Sequence, residues 1–128
     1  MELLILSQDE EQTGCPARET LLSFGKGINI YTAGIGTDRA AEGYPYSLSF
    51  DDCTHRSWDY VLIIGSDNTT EELLSYFGKA VYGWKQMELT TSDKELFQRS
   101  LYELYRDELK ERTATRCTCG ANDFCRCE

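Results

Sequence analysis

The run Tyr60-Val61-Leu62-Ile63-Ile64 narrows the folds open to this chain more than any other feature. Such an unbroken apolar stretch has no polar face, so a strand made of it must be covered on both sides. That is the position of a central strand in a parallel sheet with helices on both faces, and a strand over 60 to 64 is expected. Shorter runs suggest its neighbours. Glu2 to Leu6 reads as a buried strand leading into a polar loop from Ser7 to Gly14, and Ile28-Asn29-Ile30-Tyr31 as a second strand that Thr32-Ala33-Gly34 ends. Ala80-Val81-Tyr82 supplies a fourth, over 80 to 83.

Helical signals fall between these strands. Pro16 suits a first helical turn, where its missing N–H would be unpaired anyway, and Leu21, Leu22 and Phe24 carry the helix to Gly25. Thr69 and Thr70 with Glu71 and Glu72 open a second helix near 69 to 77. Ser92 and Glu95 stand in capping-box spacing ahead of Phe97, Leu101, Leu104, Tyr105 and Leu109, predicting a helix over 92 to 112. Residues 35 to 57, with Gly36, Gly43, Pro45 and Asp51-Asp52, read as a long loop with at most a turn of helix. A chain of 128 residues has room for one core. The expectation is a single α/β, doubly wound domain over 1–112, with a four-stranded parallel sheet in the order 2-1-3-4, followed by a Cys-rich tail over 113–128.

Charge limits the partners. Thirteen Lys and Arg against 22 Asp and Glu give a net charge of −9, the wrong sign for neutralising nucleic-acid phosphates or anionic lipid. Leu3 to Leu6 is too short for a transmembrane helix and lacks the basic flank of a signal peptide, so a cytoplasmic protein with no membrane or nucleic-acid partner is expected. In a reducing compartment its six cysteines point to metal binding, redox work or burial rather than a disulfide scaffold.

Several colinear pieces resemble the low-molecular-weight protein tyrosine phosphatases and the thioredoxin-coupled arsenate reductases that share their fold. They are Leu4-Ile5-Leu6, Cys15-Pro16-Ala17-Arg18-Glu19-Thr20-Leu21-Leu22, Tyr31-Thr32-Ala33-Gly34, Trp58 to Ile64 with Ser66-Asp67-Asn68, Phe77-Gly78-Lys79-Ala80, and Leu96-Phe97 with Tyr105 to Arg112. The resemblance covers 1–34 and 58–112, and the family's second helix has no counterpart in between. It implies a phosphate-cradling loop in which a thiolate attacks, backbone N–H groups bind the oxyanion and an Arg clamps it. In this chain the nucleophile position falls on Ser7 or Gln8 and the arginine position on Gly14, with Asp9, Glu10 and Glu11 between them. Those carboxylates would repel a dianion, since like charges about 4 Å apart cost roughly 1 to 4 kcal/mol between bulk water and a protein surface. The reductases' relay cysteines match Ser66 and a residue near Leu73, and the phosphatases' general acid matches Gln86 and Met87.

The binding residues expected at the strand ends are therefore Ser7, Gln8, Asp9, Glu10, Glu11, Gly14, Cys15, Ser66 and Asp67, with no catalytic residue among them. The acidic members could gather round a hard divalent cation or form a solvated loop. Cys15 reads either as a small residue packed at a helix start or as a thiol activated by the helix dipole. Cys53 and His55 make at most half a metal site, and otherwise a loop thiol and a solvent-facing ring. In the tail, Cys117, Cys119, Cys125 and Cys127 bracket a turn-like linker. Phe124 is the tail's only large apolar residue, and its burial yields roughly 1.5 to 3 kcal/mol against about 1 to 2 kcal/mol for each backbone residue ordered. An ordered tail thus needs a cross-link. Zinc on the four thiolates, nested disulfides and a free thiol-rich tail all stay open, with tighter spacing than most zinc sites.

Two function classes follow. One is a non-catalytic binding or regulatory module for a protein partner on the phosphatase and reductase scaffold. The other is a thiol-redox or metal-handling enzyme, arsenate reductase-like, in which the tail cysteines replace the missing loop cysteine.

Overall fold

A computed structural model of the chain describes residues 1–24, 28–35, 40, 43–65, 70–89 and 92–110. Strands β1 (Glu2–Ser7), β2 (Asn29–Gly34), β3 (Tyr60–Ile64) and β4 (Trp84–Met87) form one all-parallel sheet in the order β2-β1-β3-β4. Helices α1 (Cys15–Leu22), α2 (Phe50–Thr54), α3 (Thr70–Leu74) and α4 (Lys94–Leu104) cover it, with π-helical turns at Glu10–Gly14 and Tyr105–Leu109. The α/β class and the 2-1-3-4 order are those the sequence implies. No described helix is long and apolar enough to cross a membrane.

The order follows from the handedness of parallel crossovers. The step β1 to β2 moves one way across the sheet and β3 to β4 the other, so right-handed connections must put α1 and α3 on opposite faces. They do. Ala17 and Leu21 of α1 join Leu3, Ile5, Tyr60, Leu62 and Ile64 on one face, while Leu73 of α3 joins Leu4, Leu6, Val61 and Ile63 on the other. Alternation along β1 and β3 sends neighbouring residues to opposite cores, and both cores are apolar, so neither strand needs a polar face. α4 returns to the face of α1, burying Phe97, Leu101 and Leu104, and the turn after it buries Leu109. Phe24 packs edge-on against Tyr102 at 5.4 Å and tilted against Tyr105 at 5.9 Å, so both tyrosines of that helix serve packing.

Two segments differ from expectation. The fourth strand is Trp84–Met87 and not 80 to 83, where Val81 makes only an isolated bridge to Trp58. β4 lies at the sheet edge and its side chains are largely exposed, so its polar sequence hides it. Gln86 and Met87 consequently lie within a strand and not in the loop after one. Residues 10 to 14 are also not loop: the turn Glu10–Gly14 leads straight into α1, with Asp9 as N-cap accepting from the Gln12 N–H at 3.1 Å. Within the irregular stretch α2 is the single turn of helix expected, capped by Ser49, and it carries Cys53 into the core. Cys53 is thus a core thiol and not a loop thiol.

Candidate functional site

Ligands of open α/β sheets bind beyond the carboxyl ends of the strands, where the connections diverge. At the end of β1 that edge is filled from within. Ser7, the last residue of β1, is fully buried, and its Oγ has no hydrogen-bond partner among the described residues. The helix start crosses directly over it: a Cβ on Gly14 would lie 2.8 Å from Ser7 Oγ, which is why only glycine fits the close approach. The hydroxyl is shut off from solvent, and among the described residues no base is hydrogen-bonded to it. Removing an unpaired buried hydroxyl costs nothing in lost bonds. Ser7→Ala is therefore expected to leave stability unchanged or raise it by about 1 kcal/mol in urea unfolding, and a loss above about 1 kcal/mol would contradict the geometry.

The carboxylates expected to converge take different directions. Asp9 caps the turn, and Glu11 faces the groove between α1 and α4 together with Gln12 and Lys94. Glu10 turns inward and is buried. Its Oε2 accepts from the Thr32 hydroxyl on β2 at 2.6 Å and from the Ser47 hydroxyl. Ser47 is brought there by residues 46 to 48, which run along the outer edge of β2. The Thr32 N–H donates to the Tyr46 carbonyl at 3.2 Å and the Leu48 N–H to the Thr32 carbonyl at 2.8 Å. Two of the three carboxylates are solvated, and the third, Glu10, is an internal polar anchor tying the helix start to β2 and to the strap beside it. Among the described residues no three His, Cys, Asp or Glu side chains are grouped to hold a metal ion.

Cys15 lies behind a helical turn and not at a helix start, so it lacks the exposed N–H groups that activate a thiol. Burial pushes its pKa up; a hydrogen bond from the Tyr46 hydroxyl opposes the shift, and the charge of Glu10 adds to it. Tyr46 is itself pushed up to about 12, first by burial and then by its hydrogen bond with Cys15. Cys53 is pushed up to about 12 by burial. Of the two readings of Cys15, a packed and inert thiol is the one this environment supports. His55 lies outside the core, its Nδ1 2.8 Å from the Asp51 carbonyl oxygen, so it does not join Cys53 in a metal site.

Arg18 completes the constellation. Its guanidinium stacks on the Tyr46 ring at 3.6 Å and its Nε donates to the Ile30 carbonyl at 2.8 Å. Thr32, Tyr46, Ser47 and Arg18 were not among the binding residues expected from the sequence: Tyr46 and Ser47 lie in the aperiodic stretch, Thr32 near the end of a strand and Arg18 within the first helix. Gln8 is exposed beside the buried Ser7. Ser66, Asp67 and the cysteines Cys117, Cys119, Cys125 and Cys127 lie outside the described residues. No family model matches the chain, and no curated protein or solved structure matches it either.

Proposed function

We propose that the chain is a non-catalytic relative of the low-molecular-weight phosphatases and arsenate reductases, acting as a binding or regulatory module in the cytoplasm. The observation that carries this reading is the buried carboxylate of Glu10. It takes the hydroxyl donors of Thr32 and Ser47 at the strand ends, where an enzyme of that kind would offer donors to an oxyanion. An incoming phosphate or arsenate would have to displace a covalently tethered anion and approach two more carboxylates, Asp9 and Glu11. The general-acid position is no better supplied. Between β4 and α4, Asp93 caps α4 by accepting from the Leu96 N–H at 3.1 Å.

The thiols support the same reading, because burial holds both Cys15 and Cys53 away from the thiolate form that attack requires. The tail cysteines belong to the competing proposal, in which zinc or a redox cycle uses them. The test is direct. Arsenate with a thioredoxin couple, and an aryl phosphate alone, should show no turnover above buffer, and isothermal titration with phosphate or sulfate should show no binding at neutral pH. Turnover that Ser7→Ala removes would defeat the proposal, and turnover removed by serine at the tail cysteines would install the redox reading instead.

A further inference from the structure

Among the described residues, the outer edge of β2 is only half covered. Toward Ile30 the strap stops at Tyr46, because Pro45 has no N–H to continue a ladder and the Ser47 N–H closes a turn onto the Tyr44 carbonyl at 3.0 Å. Below this point the edge opens into a cavity of about 440 Å³ between β2, the second half of α1 and Pro45-Tyr46. The Asn29 N–H donates inward to Met1 of the β1 side and the Thr32 N–H outward to the strap, so by alternation the N–H and C=O of Ile30 point outward. The outward Ile30 carbonyl is held by Arg18 Nε; the Ile30 N–H has no partner among the described residues. Arg18 is fixed in this cavity by its bond to Ile30 and its stack on Tyr46, and its side chain is 20 % exposed. Among the described residues its one ion-pair contact, to the exposed Glu19, is 3.7 Å long.

We propose that this cavity is a seat for the C-terminal carboxylate of a partner polypeptide. A backbone N–H beside a preorganised guanidinium is the donor pair that a carboxylate matches, one oxygen on Ile30 and the other on the Arg18 Nη groups. An extended segment adding to β2 can run along Ile28 and Ile30 only as far as Pro45-Tyr46, which occupy the next place on the edge. What fits must therefore end there, and a chain terminus does. The aliphatic and aromatic lining from Leu22, Ile28 and Tyr46 suits an apolar last side chain. This seat deepens the binding-module reading by naming the chemical class of its partner, and it is distinct from the filled strand-end site.

The test uses the full chain and a fluorescein-labelled pentapeptide, Thr-Val-Thr-Val-Leu, as the free acid and as its C-terminal amide. The free acid should bind about tenfold or more tightly than the amide, and Arg18→Gln should erase that difference while Arg18→Lys keeps part of it. In proton–nitrogen spectra the Ile30 amide should shift on titration, and its hydrogen exchange should slow. Equal affinity of acid and amide, no saturable binding up to about 1 mM, or shifts that miss Ile30 would overturn the seat. Displacement of the probe by a peptide of residues 123–128 more tightly than by the probe itself would assign the seat to the chain's own tail and overturn the partner. Because Arg18→Gln also loses the stack on Tyr46, Arg18→Lys is the control: it loses the planar stack as well, so an acid preference kept by lysine and lost by glutamine reports the charge and not the stack. If arsenate turnover were found while the acid preference stood, the module reading would fail and the seat would survive.

Discussion

Glu10→Ala should destabilise the fold by about 3 to 5 kcal/mol, a large part of the 5 to 15 kcal/mol that typically holds a domain together. The Glu10 carboxylate accepts two hydroxyl bonds in a buried place, and bonds to a charged group are worth about 1.5 to 3 kcal/mol each. Alanine would also leave Thr32 and Ser47 buried, both having lost this acceptor. Against this stands relief of repulsion with Asp9 and Glu11. Both of those carboxylates face water, where even a 4 Å pair is worth only about 1 kcal/mol, so the lost bonds win. The urea midpoint should fall by more than about 1 M. Glu10→Gln, which keeps an acceptor oxygen in place, should lose less than half as much. Removing the negative charge should also bring the Cys15 pKa down, read from the pH dependence of its alkylation. A midpoint unchanged in Glu10→Ala would mean that the carboxylate is solvated and that the strand-end site is open after all.

Trp58→Ala is the second large effect expected, at about 3 to 5 kcal/mol. Trp58 is 1 % exposed, meets Tyr31 edge-on at 5.7 Å, and donates from Nε1 to the Cys53 carbonyl at 2.9 Å. It ties α2 to the sheet just before β3 begins, and its backbone starts the pairing toward β4 through the Ala80 carbonyl and the Tyr82 N–H. Alanine would leave a cavity in the core on the α2 and α3 side and release the helical turn α2. Trp84, half exposed on the edge strand, is the internal comparison: Trp84→Ala should cost less than about 1 kcal/mol. Equal losses at the two positions, measured by urea unfolding, would show that Trp58 carries no special packing.

The expectations about β3 and the topology held for a local reason. An unbroken apolar run from Tyr60 to Ile64 can be stable only where both faces are covered, and helices must then alternate with strands to cover them. The helix over Lys94–Leu104 was equally legible, since Phe97, Leu101 and Leu104 repeat with the period of a helix face. β4 was placed early because an edge strand is wetted along one side and on much of its faces. Its residues Trp84-Lys85-Gln86-Met87 therefore carry no alternation to read.

The site was less legible than the fold. The sequence by itself marked the absence of a thiol and an arginine around the Ser7 to Gly14 segment, because chemistry of that kind depends on residue identity at short spacing. It could not tell which of three adjacent carboxylates is buried. Glu10 differs from Asp9 and Glu11 only because Thr32 and Ser47, 22 and 37 residues further on, are carried to its oxygen by β2 and by the strap on its edge. Burial and hydrogen-bond satisfaction belong to groups distant in the chain, so only the tertiary structure decides them, as it does for Arg18 on Ile30 and Tyr46.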